Sequence, residues 1–304
     1  MPDTIIINCS FYSALNCYEE YVDNMTIFRD LPNHLKLLRR ILLGINSKFA
    51  RLFYKKEWEN YLDNFDVVLL FDSIDYQYIS RKIELKYPNK RLVYFLWNSI
   101  VISKLPTLSS NWEIWTSDHN DAIKFGFKYA GQFIFERFIR TENVKEEKYD
   151  LYFVGIDKGR FKHLIEMKNN FSCDYRLFFR LVSRYKCLFS NLYSHPISYD
   201  KVLSEAAQSK AILEYNQSSQ KGLTLRSVES IVMNKKLVSN NVNIKNFSFF
   251  SDTNCFILEN DDLSGLSFFL SIPMKPYPID LVKKYYFTSW LERIKMGIEM
   301  DDVV

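Results

Sequence analysis

The sequence predicts an α/β protein made of two successive halves, each organised on a parallel sheet. Three observations lead there. Short apolar runs of strand length recur along the 304 residues, and helical patterns separate them, which implies parallel strands joined by right-handed crossovers. Residues 140–149, RTENVKEEKY, are polar and charged and nearly free of apolar side chains, as expected of a linker between domains. Immediately after them the strand pattern restarts at Asp150-Leu151-Tyr152-Phe153-Val154-Gly155. The length agrees, being comfortable for two domains of about 150 residues each.

In the first half, Thr4-Ile5-Ile6-Ile7-Asn8 reads as a buried strand of the parallel-sheet kind. A variable region follows, with Tyr12 and the acidic Glu19, Glu20 and Asp23. Leu31 to Trp58 reads as a helical hairpin broken near Gly44-Ile45-Asn46. Residues 66–71 (DVVLLF) form a second strand that ends at Asp72-Ser73. Tyr76 to Leu85 is helical, residues 91–97 (RLVYFLW) are a third strand, and residues 113–117 (EIWTS) a fourth. A short helix from Asp118 to Phe125 and a fifth strand at Gly131-Gln132-Phe133-Ile134 complete this half.

In the second half, the strand from Asp150 runs into a tight basic loop, Ile156-Asp157-Lys158-Gly159-Arg160. Phe161 to Asn169 is a helix, Cys173 to Phe179 a strand and Tyr199 to Ser209 a helix. Residues 211–241 then read strand, loop, helix, strand. The strand Ala211–Tyr215 stops at the polar run Asn216 to Lys221. Gly222 precedes a helical face of Leu223, Val228, Ile231 and Val232, with Thr224 as its N-cap. Leu237-Val238-Ser239 starts the next strand, residues 255–258 (CFIL) form another, and a last helix runs from about Ile279 to Ile298.

Composition narrows the function class. Hydrophobic residues at 47% and charged residues at 25% indicate a globular chain. Eight glycines and no GxGxxG argue against a glycine-rich dinucleotide fingerprint. The five cysteines, Cys9, Cys17, Cys173, Cys187 and Cys255, are scattered, form no CxxC and have no histidine cluster beside them. That pattern predicts reduced thiols in a cytoplasmic protein and no zinc site. The N-terminal residues lack the basic and long apolar regions of a signal peptide. No apolar run reaches the ~18 residues of a membrane span. A net charge of +4 is too small to imply nucleic acid.

Two loops carry the chemistry. A polar, glycine-containing loop that feeds a helix N-terminus, as at residues 216–224, suits a phosphate, because free amides and the positive dipole end point at it. In the loop after Gly155, Lys158 and Arg160 can neutralise a diphosphate, and Gly155 and Gly159 permit close backbone approach. The alternative for that loop is an ordinary charged βα turn. Strand-end loops of such sheets line the ligand crevice, and in a two-domain protein that crevice is the cleft between the domains.

The sequence from about residue 148 to 300 resembles the donor-binding domain of bacterial GT-B glycosyltransferases, especially those of lipopolysaccharide and capsule synthesis. The resemblance rests on Lys221-Gly222-Leu223-Thr224-Leu225-Arg226-Ser227-Val228-Glu229, followed by Asn234-Lys235-Lys236-Leu237-Val238. A subgroup shares the QxGLTxRxxE form of Gln220 to Glu229 and the preceding VGxDKGR loop, here Val154 to Arg160. The N-terminal half is similar only in its αβ pattern. The resemblance implies two Rossmann-like domains: an acceptor-binding domain at residues 1–140 and a nucleotide-sugar donor domain at 148–285. A crossover helix and tail at 286–304 would return to the first domain. It implies a donor site of Gly155, Asp157, Lys158, Arg160, Asn216, Gln217, Gln220, Gly222, Leu223, Thr224, Arg226 and Glu229. Lys221 stands where the general pattern has its first glutamate. Glu229 matches the second, which is associated with the ribose hydroxyls; its other reading is a solvated helix residue. Arg226 opposes the dipole preference of a helix start unless a phosphate binds beside it.

An inverting reaction would need a base from the first half, for which Asp72 leads and Asp118-His119 is second; each also reads as a cap or turn residue. A retaining reaction would need none. No DxD occurs, so a metal-dependent GT-A arrangement is disfavoured and no metal or cofactor is expected beyond the donor itself. Residues 31–56 contain no Asp or Glu but carry Lys36, Arg39, Arg40, Lys48, Arg51, Lys55 and Lys56 among Leu, Ile and Phe. Such a segment either lies on an anionic membrane surface, here the inner membrane, or packs on the sheet with solvated lysines. The function expected is transfer of a sugar from a nucleotide-diphosphate donor to a glycan or lipid-linked acceptor. A nucleotide-sugar epimerase and a non-catalytic nucleotide-sugar-binding protein are the alternatives.

Overall fold

The structure, a computed structural model, describes residues 3–8, 22–45, 48–72, 75–100, 105–139, 147–171, 174–183, 186, 190–217, 221–258 and 264–304. The chain divides into two compact units, residues 1–130 with 292–299, and residues 131–291 with 300–304.

The first unit holds a six-stranded parallel sheet in the order β2-β1-β3-β4-β5-β6. Its strands are β1 (Thr4–Asn8), β2 (Asp23–Thr26), β3 (Val67–Phe71), β4 (Arg91–Leu96), β5 (Trp112–Thr116) and β6 (Lys128–Tyr129). All five residues of β3, VVLLF, are buried, as a central strand covered on both faces requires. The helices are α1 (Asn33–Gly44), α2 (Tyr76–Lys86) and α3 (His119–Phe125), with 3-10 segments at Lys48–Phe53 and Trp58–Asn64. One face of the sheet buries Ile5, Ile7, Val68, Leu70 and Tyr94 against Ile79 and Ile83 of α2 and against Ala50, Trp58 and Leu62 of the 3-10 segments.

The second unit has another six-stranded parallel sheet, ordered β12-β11-β10-β7-β8-β9. These strands are β7 (Tyr149–Ile156), β8 (Leu177–Val182), β9 (Tyr193–Ser194), β10 (Ser209–Glu214), β11 (Lys236–Ser239) and β12 (Cys255–Ile257). Helices α4 (Phe161–Phe171), α5 (Tyr199–Ala206), α6 (Leu225–Val232), α7 (Leu266–Ser271), α8 (Ile279–Lys284) and α9 (Phe287–Met296) surround them. Alternate residues of β7 and β10 serve opposite faces: Leu151, Phe153, Ala211 and Leu213 enter one core, and Tyr152, Val154 and Ile212 the other. Read from β9, the strand order is the doubly wound 3-2-1-4-5-6, which reverses direction between β7 and β10. In the first sheet the reversal lies between β1 and β3.

Several elements differ from expectation. Residues 131–134 are not a strand; β6 lies earlier, at Lys128–Tyr129, and Ile134 makes only an isolated bridge to Tyr286. Phe133 and Phe135 instead pack on Phe287 and Trp290, with the rings of Phe133 and Trp290 4.5 Å apart. The hairpin over 31–58 is one α-helix followed by 3-10 turns. The final helix is two, because the chain turns at Tyr285–Tyr286 to bring Ile134 N onto the Tyr285 carbonyl at 2.9 Å. Helix α9 begins among residues of the second unit, and Glu292–Glu299 belong to the first. There Arg91 donates to the Lys295 carbonyl at 2.8 Å and Tyr129 N to Glu299 at 2.9 Å. The strand expected from Cys173 begins at Leu177, and β2, β9 and α7 were not expected. Cys255 is a buried free thiol; Cys9, Cys17, Cys173 and Cys187 lie outside the described residues, as do Tyr12, Glu19 and Glu20.

Candidate functional site

The loops that follow β7 and β10 stand on either side of the switch point of the second sheet, where ligands of such folds bind. Residues 157–160 form a turn in which Arg160 N donates to the Asp157 carbonyl at 2.7 Å. Lys158 and Gly159 both take positive φ, 42° and 84°. A Cβ at Gly159 would meet nothing within 4 Å, so it is the backbone conformation and not space that favours glycine there. Asp157 fixes the turn from below. One carboxylate oxygen accepts from Phe161 N at 3.1 Å, and the other from Tyr193 Oη at 2.6 Å and Lys186 Nζ at 3.1 Å. Burial acts to raise its pKa, but these partners prevail and hold it below the ordinary carboxylate value.

The two loops are tied together. Arg160 donates from Nε to the Tyr215 carbonyl and from Nη1 to the Ile156 carbonyl at 2.9 Å. Gln217 Nε2 donates to the Lys158 carbonyl at 3.0 Å. The structure thus brings together Asp157, Lys158, Arg160, Asn216 and Gln217, as the sequence motifs implied. Lys158 projects an exposed side chain with no ion pair among the described residues. Partial desolvation, then the neighbouring Arg160, draw its pKa below the usual lysine value. Asn216 is 5% exposed. Its backbone is paired with Asn240, N to Oδ1 at 2.7 Å and O to Nδ2 at 3.0 Å. Its own Nδ2 is buried and has no hydrogen-bond acceptor among the described residues. A stranded buried donor is uncommon in a folded protein and marks a place where a ligand oxygen would be favourable.

What sets the second loop is a residue that the sequence reading passed over. Glu214, the last residue of β10, is fully buried. Its Oε1 accepts from Thr224 Oγ1 at 2.6 Å, Thr224 N at 3.3 Å and Ser227 Oγ, while Oε2 accepts from Ser239 Oγ at 2.5 Å. One carboxylate therefore joins β10, the first turn of α6 and the end of β11. Thr224 caps α6 as expected, its hydroxyl accepting from Arg226 N at 3.1 Å. Asn241 Nδ2 donates to the Lys221 carbonyl at 2.9 Å and the Gly222 carbonyl at 3.4 Å, which closes the loop. Gly222 and Leu223 are buried beneath it. Gly155 lies in β7, where a Cβ would press on the Phe153 ring at 3.1 Å. Gln220 lies outside the described residues. The signal for Glu214 was present: a lone acidic residue in an apolar strand, with hydroxyl residues at 224, 227 and 239.

Glu229 and Arg226 are placed otherwise than expected. Glu229 has no exposed surface. Its Oε1 accepts from Tyr199 Oη at 2.7 Å, and Oε2 touches Arg226 Nη1 as an ion pair rather than an aligned hydrogen bond. Burial pushes the Glu229 carboxyl upward, against the pull of Arg226 and Tyr199. Glu229 lies about one turn into α6 between the buried Val228 and Ile231, and its carboxylate turns inward to Tyr199 of α5. In this structure it presents nothing to a ribose, and Arg226 is held by Glu229 rather than facing a phosphate.

In the first unit, Asp72 follows β3, at that sheet's switch point. Its Oδ2 accepts from Asn98 Nδ2 at 3.5 Å, and its buried Oδ1 has no hydrogen-bond partner among the described residues. Burial lifts its pKa to about 6, opposed by Asn98 and the Trp97 backbone. Phe71, Phe95 and Trp97 pack together close by, with ring centroids 5.2 to 6.1 Å apart. Asp118 is instead the N-cap of α3, accepting from Asn120 N at 2.9 Å and Asp121 N at 3.4 Å. His119 packs edge-on against Tyr129 at 5.1 Å. Among the described residues no three His, Cys, Asp or Glu cluster as metal ligands.

The Glu214 network predicts its own test. Glu214→Leu strands three hydroxyls, of Thr224, Ser227 and Ser239, and the Thr224 amide, each worth about 1–3 kcal/mol when left unsatisfied. Urea unfolding followed by circular dichroism is expected to show a loss of about 3 kcal/mol or more, with Thr224→Ala losing about 1 kcal/mol. A Glu214→Leu protein within about 0.5 kcal/mol of the parent would contradict the assignment.

No family model matches the chain, and no curated protein matches it in sequence. Solved structures do. The apo form of a lipopolysaccharide outer core galactosyltransferase, WaaB, matches with a TM-score of 0.52 and 12% identity, over 97% of this chain and 98% of that one. A DNA-modifying β-glucosyltransferase matches with a TM-score of 0.47 and 12% identity, over 97% and 95%. The chain has the GT-B fold: two Rossmann-like units, each with a parallel six-stranded sheet.

Proposed function

We propose that this protein is a glycosyltransferase that moves a sugar, a hexose on the analogy of the galactosyltransferase neighbour, from a nucleotide-diphosphate donor to a glycan or lipid-linked acceptor. Bacterial lipopolysaccharide or a related surface polysaccharide is the product class that neighbour supports. The observation that carries the reading is the junction of the 157–160 and 215–217 loops at the switch point of the second sheet. There an exposed lysine and a buried amide donor with no acceptor among the described residues stand on two loops tied to one another.

Departure of a nucleoside diphosphate leaves negative charge on the bridging oxygen. Lys158 is the group we assign to it, in a loop whose second cation, Arg160, is spent on positioning. Asn216 Nδ2 would donate to a phosphate or sugar oxygen. In the first unit Asp72 is assigned as the base that takes the acceptor hydroxyl's proton, because its pKa of about 6 suits proton transfer near neutrality. The buried Glu229–Arg226 pair supports α6 rather than touching donor. Retention of configuration would make the Asp72 role unnecessary.

Incubation with UDP-, dTDP-, GDP- and CMP-sugars, with and without lipid and polysaccharide extracts, tests the reading by mass spectrometry of nucleotide and glycan. Transfer that needs both donor and acceptor is expected. Free donor epimerised without acceptor would make the protein an epimerase, and binding without turnover would make it a non-catalytic binder. Lys158→Ala should raise donor KM about tenfold or more, the value of one charge-assisted contact, with stability unchanged; an unaltered KM would remove its role.

Asp72 gives a pH prediction. The folded state keeps its proton up to about pH 6, whereas the ordinary carboxyl loses it near 3.8. The ionised form is the base, so kcat/KM should fall as pH drops below about 6, and Asp72→Asn should lose about 10²–10⁴-fold. Ionising the buried group costs the folded state. Asp72→Asn should therefore raise stability at pH 8, by at most about 3 kcal/mol, a gain that fades as pH falls towards 3.8. An active, unstabilised Asp72→Asn protein would contradict the assignment.

A further inference from the structure

Residues 31–56 hold the most unusual surface of the first unit. Helix α1 and the 3-10 segment Lys48–Phe53 pack against one another. Between them they leave six large apolar side chains in water: Leu37 at 58% exposure, Leu38 at 43%, Ile41 at 54%, Ile45 at 70%, Phe49 at 68% and Leu52 at 68%. Four of these lie at positions i, i+1, i+4 and i+8 of the α1 region, one stripe of a helix. The opposite side carries the packing: Leu43 is buried in the core. Isolated exposed apolar residues are ordinary, but six within sixteen positions are not.

The charges carried by the stretch itself are all positive. The structure removes two of the seven basic residues from consideration. Arg39 is 8% exposed and stacks on Phe28 at 4.1 Å, and Arg51 pairs with Asp75 at 2.9 Å. Lys36 reaches Asp30 at 3.3 Å. Arg40, Lys48, Lys55 and Lys56 remain exposed with no ion pair among the described residues, and the stretch has no acidic residue of its own. None of the described helices is long and apolar enough to cross a membrane. A short amphipathic helix about 18 Å long, with an exposed apolar stripe and unpaired cations beside it, matches the boundary of an anionic bilayer. Its apolar side chains would enter the acyl edge while the cations meet lipid headgroups.

We propose that this face of the first unit docks on an anionic lipid surface. A second copy of the chain fits less well, because like charges would meet across a symmetric contact. The proposal is independent of the glycosyltransferase reading, since neither Lys158 nor Asp72 takes part.

Flotation of the full chain with lipid vesicles tests it. Vesicles of phosphatidylcholine containing about 30% phosphatidylglycerol should bind it, pure phosphatidylcholine about tenfold less, and high salt should release it. The double variant Ile41→Glu/Phe49→Glu should lose binding at least tenfold. Lys48→Gln should weaken it about fivefold, the effect of one charge near such a surface. Both alter exposed positions, and unchanged circular dichroism and thermal melting would show that folding is intact. Absence of binding to the anionic vesicles would overturn the proposal, as would equal binding by the double variant. So would a concentration-dependent dimer that disappears in the double variant without any vesicle binding, since the face would then be a contact between copies.

Discussion

The buried carboxylate of Glu214 is the constraint on which the site depends. A charged side chain at the end of a central strand is costly unless its lone pairs are filled, and here hydroxyls and an amide from two other elements fill them. The consequence is geometric. Helix α6 must begin where Thr224 and Ser227 can reach the carboxylate, and β11 must end where Ser239 can. The Asn216–Asn240 and Asn241–Gly222 contacts fix residues 216 and 222 as well. The same carboxylate lies at the N-terminal end of α6, where a negative charge is favourable. The helix end that the sequence suggested for a phosphate is thus served from within by the chain's own anion. On the proposed reading, a donor phosphate is met by the neighbouring loop, where Lys158 stands exposed.

Each sheet reverses its strand order once, and the polar side chains of interest gather at the two reversals. In the second sheet these are the 157–160 turn and Asn216; in the first, Asp72. Adjacent crossovers diverge to opposite faces at such a point, which opens a gap above the strand ends that no helix fills. Among the described residues, Asp72 and Asn216 each keep a buried polar atom without a hydrogen-bond partner there, as Ser194 and Glu136 do elsewhere in the second unit; Asp150, by contrast, is held by Arg176 and Lys210, and Lys236 by the carbonyls of Phe269 and Ile272. A protein tolerates stranded donors and acceptors where a ligand completes them.

Much of this was legible from residue order. Runs such as Val67–Phe71 and Tyr149–Ile156 announce buried parallel strands through apolar density alone, and the polar Lys158-Gly159 and Gly222 loops mark the carboxyl ends of β7 and β10. Strands β2 and β9 were not legible because they are short and polar, DNMT and YS; register against a neighbour makes them strands, not propensity. Phe133 and Phe135 mimic a strand, but their alternation serves an aromatic cluster with Phe287 and Trp290 more than 150 residues on. Glu214 and Glu229 show the limit most plainly. Both are acidic residues of the 211–241 stretch, and the sequence suggested the second as the ligand contact. Burial reverses their apparent importance, since Glu214 organises the loop and Glu229 is spent on Tyr199 and Arg226.

The central claim is that the carboxyl ends of β7 and β10 form a nucleotide-diphosphate site. Hydrogen–deuterium exchange on the intact chain, with and without saturating UDP, dTDP or GDP, addresses it most directly. Slowed exchange concentrated in residues 155–160 and 214–224 with at least one nucleotide, and weakened in Lys158→Ala, is the predicted result. Protection confined to other segments, or none with any of the three, would contradict it.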